Sequence, residues 1–252
     1  FGKTEVALRG AFNVAMSGAQ VAFIVPTTLL CSQHYENFTK RFKNFPLKVD
    51  QISRLNSTSE NNKIIERINS GESDVVVGTH ALLNSKIKFK KLGMLIIDEE
   101  QHFGVSQKEK IKSLRSNVHV LALTATPIPR TLQMSLVGLR DLSIISTAPL
   151  NRQNINTEVI DFNDEKIISA IEYELSRNGQ VYYVCPRINE LKEVEDFLKS
   201  KLPNVKYQIA HGQMPSKNLK NTMIDFYNNE FQLLLCTTIV ESGLDLQKTN
   251  TM

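Results

Sequence analysis

Residues 93–101 read Gly-Met-Leu-Ile-Ile-Asp-Glu-Glu-Gln, a short apolar run that ends in three acids and an amide. Consecutive apolar positions, without the alternation of a half-solvated strand, are typical of a strand buried on both faces of a parallel sheet. Similar strand-like runs recur along the chain at 20–26, 48–52, 74–79, 118–124, 141–147, 156–162, 180–186, 206–211 and 231–238. The sequence therefore predicts a fold built around buried strands.

Amphipathic helical patterns separate these runs. The clearest of them cover 4–18, 59–71, 164–179 and 189–203. The first two end on Gly18 and Gly71, and glycine is typical of the position that closes a helix. Strands that alternate with helices in this way predict mostly parallel sheets with helices on both faces, which is an α/β fold class.

One segment interrupts the alternation. Residues 147–157 contain a proline, three asparagines and no periodicity, which predicts a linker. The sequence then divides into a first lobe at 1–146 and a second lobe at 158–252. We expect two α/β lobes in tandem.

Composition limits the classes of protein that fit. The chain has 252 residues, is 41% hydrophobic and 22% charged, and carries a net charge of +4, which permits a nucleic-acid partner without requiring one. Its three cysteines are far apart, show no metal-ligand or redox spacing, and favour a reducing, cytoplasmic location. The longest apolar runs have the length of strands, so we expect no membrane-spanning segment.

Two stretches together suggest phosphate chemistry. Gly2-Lys3-Thr4 opens a predicted helix, where a lysine can pair with phosphates and a threonine hydroxyl can bind Mg²⁺. Asp98 follows a buried strand and could hold the metal, and Glu99 could polarise an attacking water. Alone, the first stretch fits a chance tripeptide and the second fits a solvated loop that opens a helix. Their combination favours a nucleotide site.

Hydroxyl-bearing turns follow several other predicted strands. Such turns offer hydroxyls and backbone N–H groups to phosphates without reading bases, although each one also fits a plain strand–turn–helix. In the first lobe they contain Thr27, Thr28, Thr79, His80, Thr124 and Thr126. In the second lobe they contain Thr237, Thr238, Glu241, Gly243 and Asp245. The lysines at 86–91 could contact a phosphate backbone too, but a solvated loop is the more usual role of such a cluster.

These motifs, in this order, resemble those of superfamily 2 helicases and translocases, whose motor consists of two RecA-like lobes. The matches are FGKT (1–4) with motif I, PTTLL (26–30) with Ia, GTHALL (78–83) with Ib, DEEQ (98–101) with II, TATPIPRT (124–131) with III and TTIVESGLD (237–245) with V. Within the superfamily, residues 25–38, 96–114, 124–145 and 211–214 resemble the family of bacterial transcription-repair coupling factors. The RecG helicases are the nearest relatives and share TATPIPRTL (124–132).

The resemblance implies an ATP-dependent double-stranded DNA translocase that acts on stalled RNA polymerase in nucleotide excision repair, with ATP and Mg²⁺ as cofactors. Glu99 would be the catalytic base, Asp98 and Thr4 would hold the metal, and Gln101 would sense the γ-phosphate. Nucleotide contacts would come from Gly2, Lys3, Thr4, Asp98, Gly243 and Asp245. Thr124 and Thr126 would couple the nucleotide to DNA. The DNA contacts would come from Thr27, Thr28, Thr79, His80, Thr124, Thr126, Thr237 and Thr238.

Other parts of such a motor are expected outside residues 1–252. The front of the phosphate loop would precede Phe1, and motif VI with its arginine finger would follow Met252. RNA polymerase and excision-repair proteins would bind through domains beyond this sequence. We therefore expect the chain alone to hydrolyse ATP poorly.

Two alternatives remain open. The first is a fork-remodelling helicase of the RecG type, although that family has a single acid pair where this chain has Asp98, Glu99 and Glu100. The second is a non-catalytic scaffold that binds nucleic acid or polymerase. Intact Lys3, Asp98 and Glu99 argue against a scaffold, since an inactive site need not retain all three.

Overall fold

The computed structural model describes residues 2–53, 56–104, 106–107, 110–111, 118–125, 141–147, 155–237 and 248–252. The chain divides into two compact units, Phe1–Gln153 and Asn154–Met252. Most of the predicted linker, 147–157, lies outside the described residues, so its bounds stay a prediction.

The first unit is a five-stranded sheet with helices between its strands. Its helices are α1 (Lys3–Met16), α2 (Thr28–Phe42) and α3 (Thr58–Ser70). Its strands are β1 (Gln20–Ile24), β2 (Val49–Ile52), β3 (Val75–Gly78), β4 (Leu92–Asp98) and β5 (His119–Leu123). Short 3₁₀ helices, His80–Leu83 and Glu100–His102, follow β3 and β4.

The strand order in this sheet is β2-β3-β1-β4-β5, and every neighbouring pair is parallel. Parallel strands place all their carboxyl ends at one edge of the sheet, which is where ligands bind in such folds. The register puts Ile24 of β1 beside Ile97 of β4, and Asp98 beside Leu123 of β5. The turns that follow β1, β4 and β5 are therefore neighbours at this edge.

The burial of the strands explains their unbroken apolar runs. All five residues of β1 are buried, and β4 is buried from Leu95 to Asp98. Ile64 and Ile68 of α3 pack into the same core cluster. Fully burying a side chain of this size contributes about 1.5–3 kcal/mol, so the sheet interior supplies much of the stability of this unit.

The second unit is a four-stranded parallel sheet in the order β7-β8-β6-β9. Its helices are α4 (Asp164–Ser176), α5 (Glu190–Lys201) and α6 (Ser216–Tyr227). Its strands are β6 (Gln180–Val184), β7 (Tyr207–Ala210), β8 (Leu233–Cys236) and β9 (Thr249–Thr251). Both units combine a parallel sheet with helices, so the predicted α/β fold class is confirmed.

A buried glutamine begins a central strand in each unit. In β1, Gln20 Nε2 donates hydrogen bonds of 2.9 Å to the carbonyl oxygens of Ile68 and Ser73. In β6, Gln180 Nε2 donates to the carbonyl oxygens of Phe226 (2.8 Å) and Phe231 (3.0 Å). In each unit, the glutamine side chain therefore links the start of the strand to the end of a helix and to the segment that follows that helix. The periodicity of the sequence does not reveal this shared device.

Strand β9 is attached to α4 through the buried carboxylate of Glu174. This carboxylate accepts hydrogen bonds from Asn250 Nδ2 (3.1 Å) and Thr251 Oγ1 (2.8 Å), and it pairs with Arg177 on its own helix. Burial alone would raise the pKa of Glu174, but the hydrogen bonds from Arg177, Asn250 and Thr251 lower it below the ordinary value of 4.5. The ionised form therefore stabilises the folded unit.

Replacing Glu174 with glutamine should lower the free energy of unfolding by about 1–3 kcal/mol, because the new amide turns a donor towards groups that are themselves donors. Urea denaturation at pH 7 measures the change. The matched control is Glu172→Gln, since Glu172 is exposed on the same helix. The advantage of the wild type should also fade as the pH drops below 4.5 towards the lowered folded pKa. Equal unfolding free energies for the two variants would contradict the assigned role.

Two predicted strands are wrong. Residues 141–147 and the described residues before α4, 155–163, form neither strand nor helix. Ile144 is 76% exposed and Val159 is 96% exposed. β-branched residues favour a strand when they pack against sheet neighbours, and no strand of the described residues pairs with these segments. Conversely, β9 was not predicted, because Thr-Asn-Thr lacks an apolar pattern.

Candidate active site

Gly2 prepares the start of α1. It precedes the helix in a left-handed conformation, with φ of +70°, which glycine adopts at little steric cost. Its carbonyl oxygen accepts a hydrogen bond of 3.0 Å from the N–H of Glu5. The first N–H groups of a helix have no partner within the helix, and the helix dipole favours an anion beside them. This end of α1 therefore suits a phosphate.

Lys3 extends its ammonium group to the end of β4. Its Nζ lies 2.9 Å from Oδ1 of Asp98 and forms a hydrogen-bonded ion pair with Oε1 of Glu99. The carboxylates are 4% and 3% exposed, whereas the lysine side chain is 27% exposed. One accessible cation thus joins two buried anions that lie about a hundred residues away in the chain.

The surroundings keep both partners charged at neutral pH. Burial by itself would lower the pKa of Lys3, but the hydrogen bond that it donates to Glu99 and its attraction to the carboxylates of Glu99 and Asp98 raise it above its ordinary value. Burial would likewise raise the pKa of Asp98, but His34 and Lys3 lower it. Lys3 and Asp98 therefore form an ion pair rather than a pair of neutral groups.

The backbone of Glu99 is strained. Its φ of 51° and ψ of 54° lie in the left-handed region, which costs a residue with a side chain about 1–3 kcal/mol. Its N–H donates a 2.9 Å hydrogen bond to the carbonyl oxygen of Leu123, the last residue of β5. This bond holds the turn after β4 against the neighbouring strand, and the turn keeps the buried Glu99 side chain at the sheet edge.

The side chain of Glu99 collects donors from two turns. Gln101 Nε2 donates to its Oε2, and Thr124 Oγ1 lies 3.3 Å from the same oxygen. The N–H of Ala125 donates to its Oε1 at 3.3 Å. Thr124 Oγ1 is also 3.5 Å from Gln101 Oε1. Glu99 therefore links the segment after β4 with the segment after β5.

The residues at this edge fit a magnesium ion. The Oδ1 atom of Asp98 is buried and accepts no hydrogen bond from the described residues. Lys3 Nζ lies 2.9 Å from it, but this contact is an ion pair without the geometry of a hydrogen bond. Mg²⁺ is commonly bound by one or two carboxylates together with substrate phosphates. Thr4 is half-buried in the first turn of α1 and adds a hydroxyl.

Comparison with protein families identifies this arrangement. Residues 1–135 match the DEAD/DEAH box helicase family, and residues 164–252 match the helicase conserved C-terminal domain. The chain belongs to the DEAD/DEAH box helicase family. The match covers the start of α1, the acids after β4 and the segment that follows β5, in the order that the motifs predicted.

Relatives of this helicase-family chain carry the name that the motifs suggested. It is 50% identical over 252 residues to the transcription-repair-coupling factor of Staphylococcus haemolyticus (strain JCSC1435), and 51% identical over 256 residues to that of Rickettsia prowazekii (strain Madrid E). All of the chain is covered in both comparisons. It spans 22% and 23% of the length of these relatives. The predicted resemblance to coupling factors is confirmed.

Solved structures share the fold. RecG bound to a three-way DNA junction matches with a TM-score of 0.77 and 31% identity, over 99% of this chain and 33% of that one. Dbp5 L327V of S. cerevisiae, bound to gle1 H337R and ip6, matches with a TM-score of 0.72 at 14% identity, over 98% of this chain and 64% of that one. At that identity the second match shows the fold alone. Both units of this chain thus have the predicted RecA-like fold.

Two of the threonines of the first lobe that were predicted to contact DNA, Thr27 and Thr79, act as helix caps. Thr27 accepts a hydrogen bond of 3.3 Å from the N–H of Leu30 at the start of α2. Thr79 is buried and accepts one of 3.4 Å from the N–H of Ala81. A hydroxyl that accepts a backbone bond can still donate its own proton, so capping and phosphate contact are compatible. The DNA-binding role stays a prediction.

The other predicted site residues are distributed as follows. Thr28 is the first residue of α2, and His80 is the first residue of the 3₁₀ helix after β3. In the second unit, Thr237 follows β8, is buried, and donates its N–H to the carbonyl oxygen of Ala210. Thr126, Thr238, Gly243 and Asp245 lie outside the described residues.

One site residue was missed by the sequence analysis. His34 of α2 is 7% exposed at its side chain, and its Nε2 lies 3.4 Å from Oδ2 of Asp98. No metal-ligand spacing marks it in the sequence. Its signal is a four-residue spacing with Leu30, Phe38 and Phe42, which marks it as the polar member of an otherwise apolar buried stripe.

None of the helices in the described part of the chain is both long and apolar enough to cross a bilayer.

Proposed function

We propose that this chain is the ATP-hydrolysing motor core of a double-stranded DNA translocase of the transcription-repair coupling type. The observation that carries the proposal is the cluster of Lys3, Asp98 and Glu99 at the carboxyl edge of a parallel sheet. Helicase-family membership and the coupling-factor relatives support it. Activity on stalled RNA polymerase and a place in excision repair belong to the proposal.

Lys3 would bind the β- and γ-phosphates of ATP. Its ammonium group is the accessible member of the cluster, and the helix start after Gly2 adds N–H groups and a favourable dipole. When phosphates arrive, Lys3 can exchange its carboxylate partners for phosphate oxygens without losing charge compensation. The ion pair therefore holds the lysine in place before the nucleotide binds.

Asp98 and Thr4 would hold the metal ion. The Oδ1 atom of Asp98 is buried, ionised and accepts no hydrogen bond from the described residues, so it can accept one from a metal-bound water. A bound Mg²⁺ would neutralise charge on the phosphates during their transfer. Asp98 sits at the end of a rigid buried strand, which fixes its position.

Glu99 would orient the attacking water. Once Lys3 turns to phosphate, Oε1 of Glu99 keeps the N–H of Ala125, while Oε2 keeps Gln101 and Thr124. A carboxylate held from several sides can accept a proton from water without reorienting. The same contacts link Glu99 to the turn after β5, so a movement of Glu99 on loss of the γ-phosphate would also move Thr124.

DNA would be held through its phosphate backbone. The candidate contacts are threonine hydroxyls and backbone amides at strand ends, which suit phosphates and carry no base code. Binding of this kind depends on counterion release and therefore weakens steeply with salt. We propose sequence-independent binding of double-stranded DNA by the gene product that contains this chain.

A RecG-type fork remodeller is the second candidate, and the match to RecG bound to a three-way DNA junction favours it. The two functions separate on their substrates. The gene product that contains this chain should release RNA polymerase stalled on linear DNA when ATP is added, while leaving a three-way junction intact. Both substrates are followed by gel mobility.

The controls are matched reactions without ATP and with naked linear DNA. Junction unwinding without polymerase release would favour the RecG-type function instead. If ATP changed neither substrate, both candidate functions would be contradicted, and the non-catalytic scaffold would be the remaining alternative.

A further inference from the structure

His34 occupies a position that packing would fill with an apolar residue. It lies on the buried face of α2 with Leu30, Phe38 and Phe42, and its ring centroid is 4.6 Å from that of Phe23 in β1. Its Nδ1 is buried and has no hydrogen-bond partner among the described residues. A buried polar nitrogen without a partner destabilises a fold. Core packing therefore does not account for a histidine here.

The other ring nitrogen supplies the missing reason. His34 Nε2 lies 3.4 Å from Oδ2 of Asp98, across the interior between α2 and the end of β4. The two oxygens of Asp98 are thus divided between different partners. Oδ2 faces His34, whereas Oδ1 faces Lys3 and accepts no hydrogen bond from the residues that the structure describes.

We propose that His34 is a positioning residue that anchors Oδ2 of Asp98, so that Oδ1 is presented to the magnesium ion of a bound nucleotide. This inference rests on the proposed ATPase function. Partners that orient a metal ligand are usually worth about 10–100-fold in metal affinity, because they fix the rotation of the ligating group. His34 contributes through Asp98 and would not touch the nucleotide.

A pair of amide variants separates anchoring from mere polarity. Glutamine can place its amide nitrogen where Nε2 of histidine lies, whereas asparagine is one methylene shorter and cannot reach Asp98. Both fill the site with the same polar group. The gene product is loaded with a fluorescent, non-hydrolysable ATP analogue, and Mg²⁺ is titrated against its binding signal. This readout reports metal affinity without turnover.

We expect His34→Asn to raise the Mg²⁺ concentration at the midpoint about 10-fold or more, and His34→Gln to stay within about threefold of the wild type. Affinity for the analogue in EDTA should stay near the wild-type value in both. Phe38→Leu is the control for stability, because Phe38 lies one turn further along the same buried face, where its ring packs against Phe23. It should lower the melting temperature without moving the midpoint.

Each outcome is decisive. Equal midpoints for the Asn variant and the wild type would overturn the positioning role while leaving the proposed function intact. Equal shifts in the Asn, Gln and Phe38→Leu proteins would also overturn it, by assigning the effect to packing. A wild-type protein that binds no analogue at any Mg²⁺ concentration would contradict the proposed function itself.

Discussion

Replacing Glu99 with glutamine should lower DNA-stimulated ATP hydrolysis by about 10²–10⁴-fold, because a general base contributes about that much and an amide cannot accept the proton of water. ATP binding should stay near the wild-type value. Gln is isosteric: with its carbonyl oxygen in the place of Oε1 it can still accept from the N–H of Ala125, and its amide nitrogen can donate to the hydroxyl of Thr124. Phosphate release at saturating ATP gives the turnover number, and equilibrium titration gives the affinity.

The matched control for this variant is Glu100→Gln. Glu100 is the next acid in the same run, so its replacement removes the same charge from the same turn. The Glu100 variant should retain most of the wild-type rate. A Glu99 variant that hydrolyses ATP as fast as the Glu100 variant would remove Glu99 from the mechanism.

Replacing Lys3 with alanine should lower kcat/KM for ATP by about 10³-fold or more, which is at or above the effect of removing one charge-stabilising donor. The reason lies in the cluster itself, because Asp98 and Glu99 would then face the incoming phosphates without a compensating cation. Initial rates at low ATP measure the loss.

Lys63→Ala serves as the control, since Lys63 is an exposed lysine on a different helix, α3. That change should leave kcat/KM within about twofold, as expected for a solvated lysine. A Lys3 variant that matches the Lys63 variant would show that ATP reacts elsewhere.

The fold was largely predictable because strands buried on both faces appear in the sequence as short runs of consecutive apolar residues. The run before Asp98 predicted β4, and the parallel-sheet rule placed its acids at a ligand-binding edge. Gly2 and Lys3 were predicted at a helix start, where the structure has them. Periodicity and turn chemistry therefore predicted most of the described strands, and the parallel-sheet rule predicted the edge of the sheet at which the acids lie.

The failures have physical causes too. Strand propensity at 141–147 and 156–162 needed sheet neighbours that the described residues do not provide. The left-handed backbone of Glu99 could not be predicted, since glycine or asparagine normally marks such a conformation. It is maintained instead by bonds to Leu123 and the turn beyond it.

The contact between His34 and Asp98 depended on strand order. The contact forms because β1 lies directly beside β4 in the spatial order of the sheet, β2-β3-β1-β4-β5, and α2 begins shortly after β1. Chain order alone does not give that neighbour relation. A histidine within an apolar stripe was visible, but its partner was 64 residues away and could not be assigned from spacing.

The most direct test of the site is steady-state phosphate release by the wild-type gene product, with ATP and Mg²⁺, before and after linear double-stranded DNA is added. A motor site built from Lys3, Asp98 and Glu99 predicts that DNA stimulates release and that EDTA abolishes it. Release that DNA leaves unchanged, or that persists in EDTA, would contradict a metal-dependent DNA translocase.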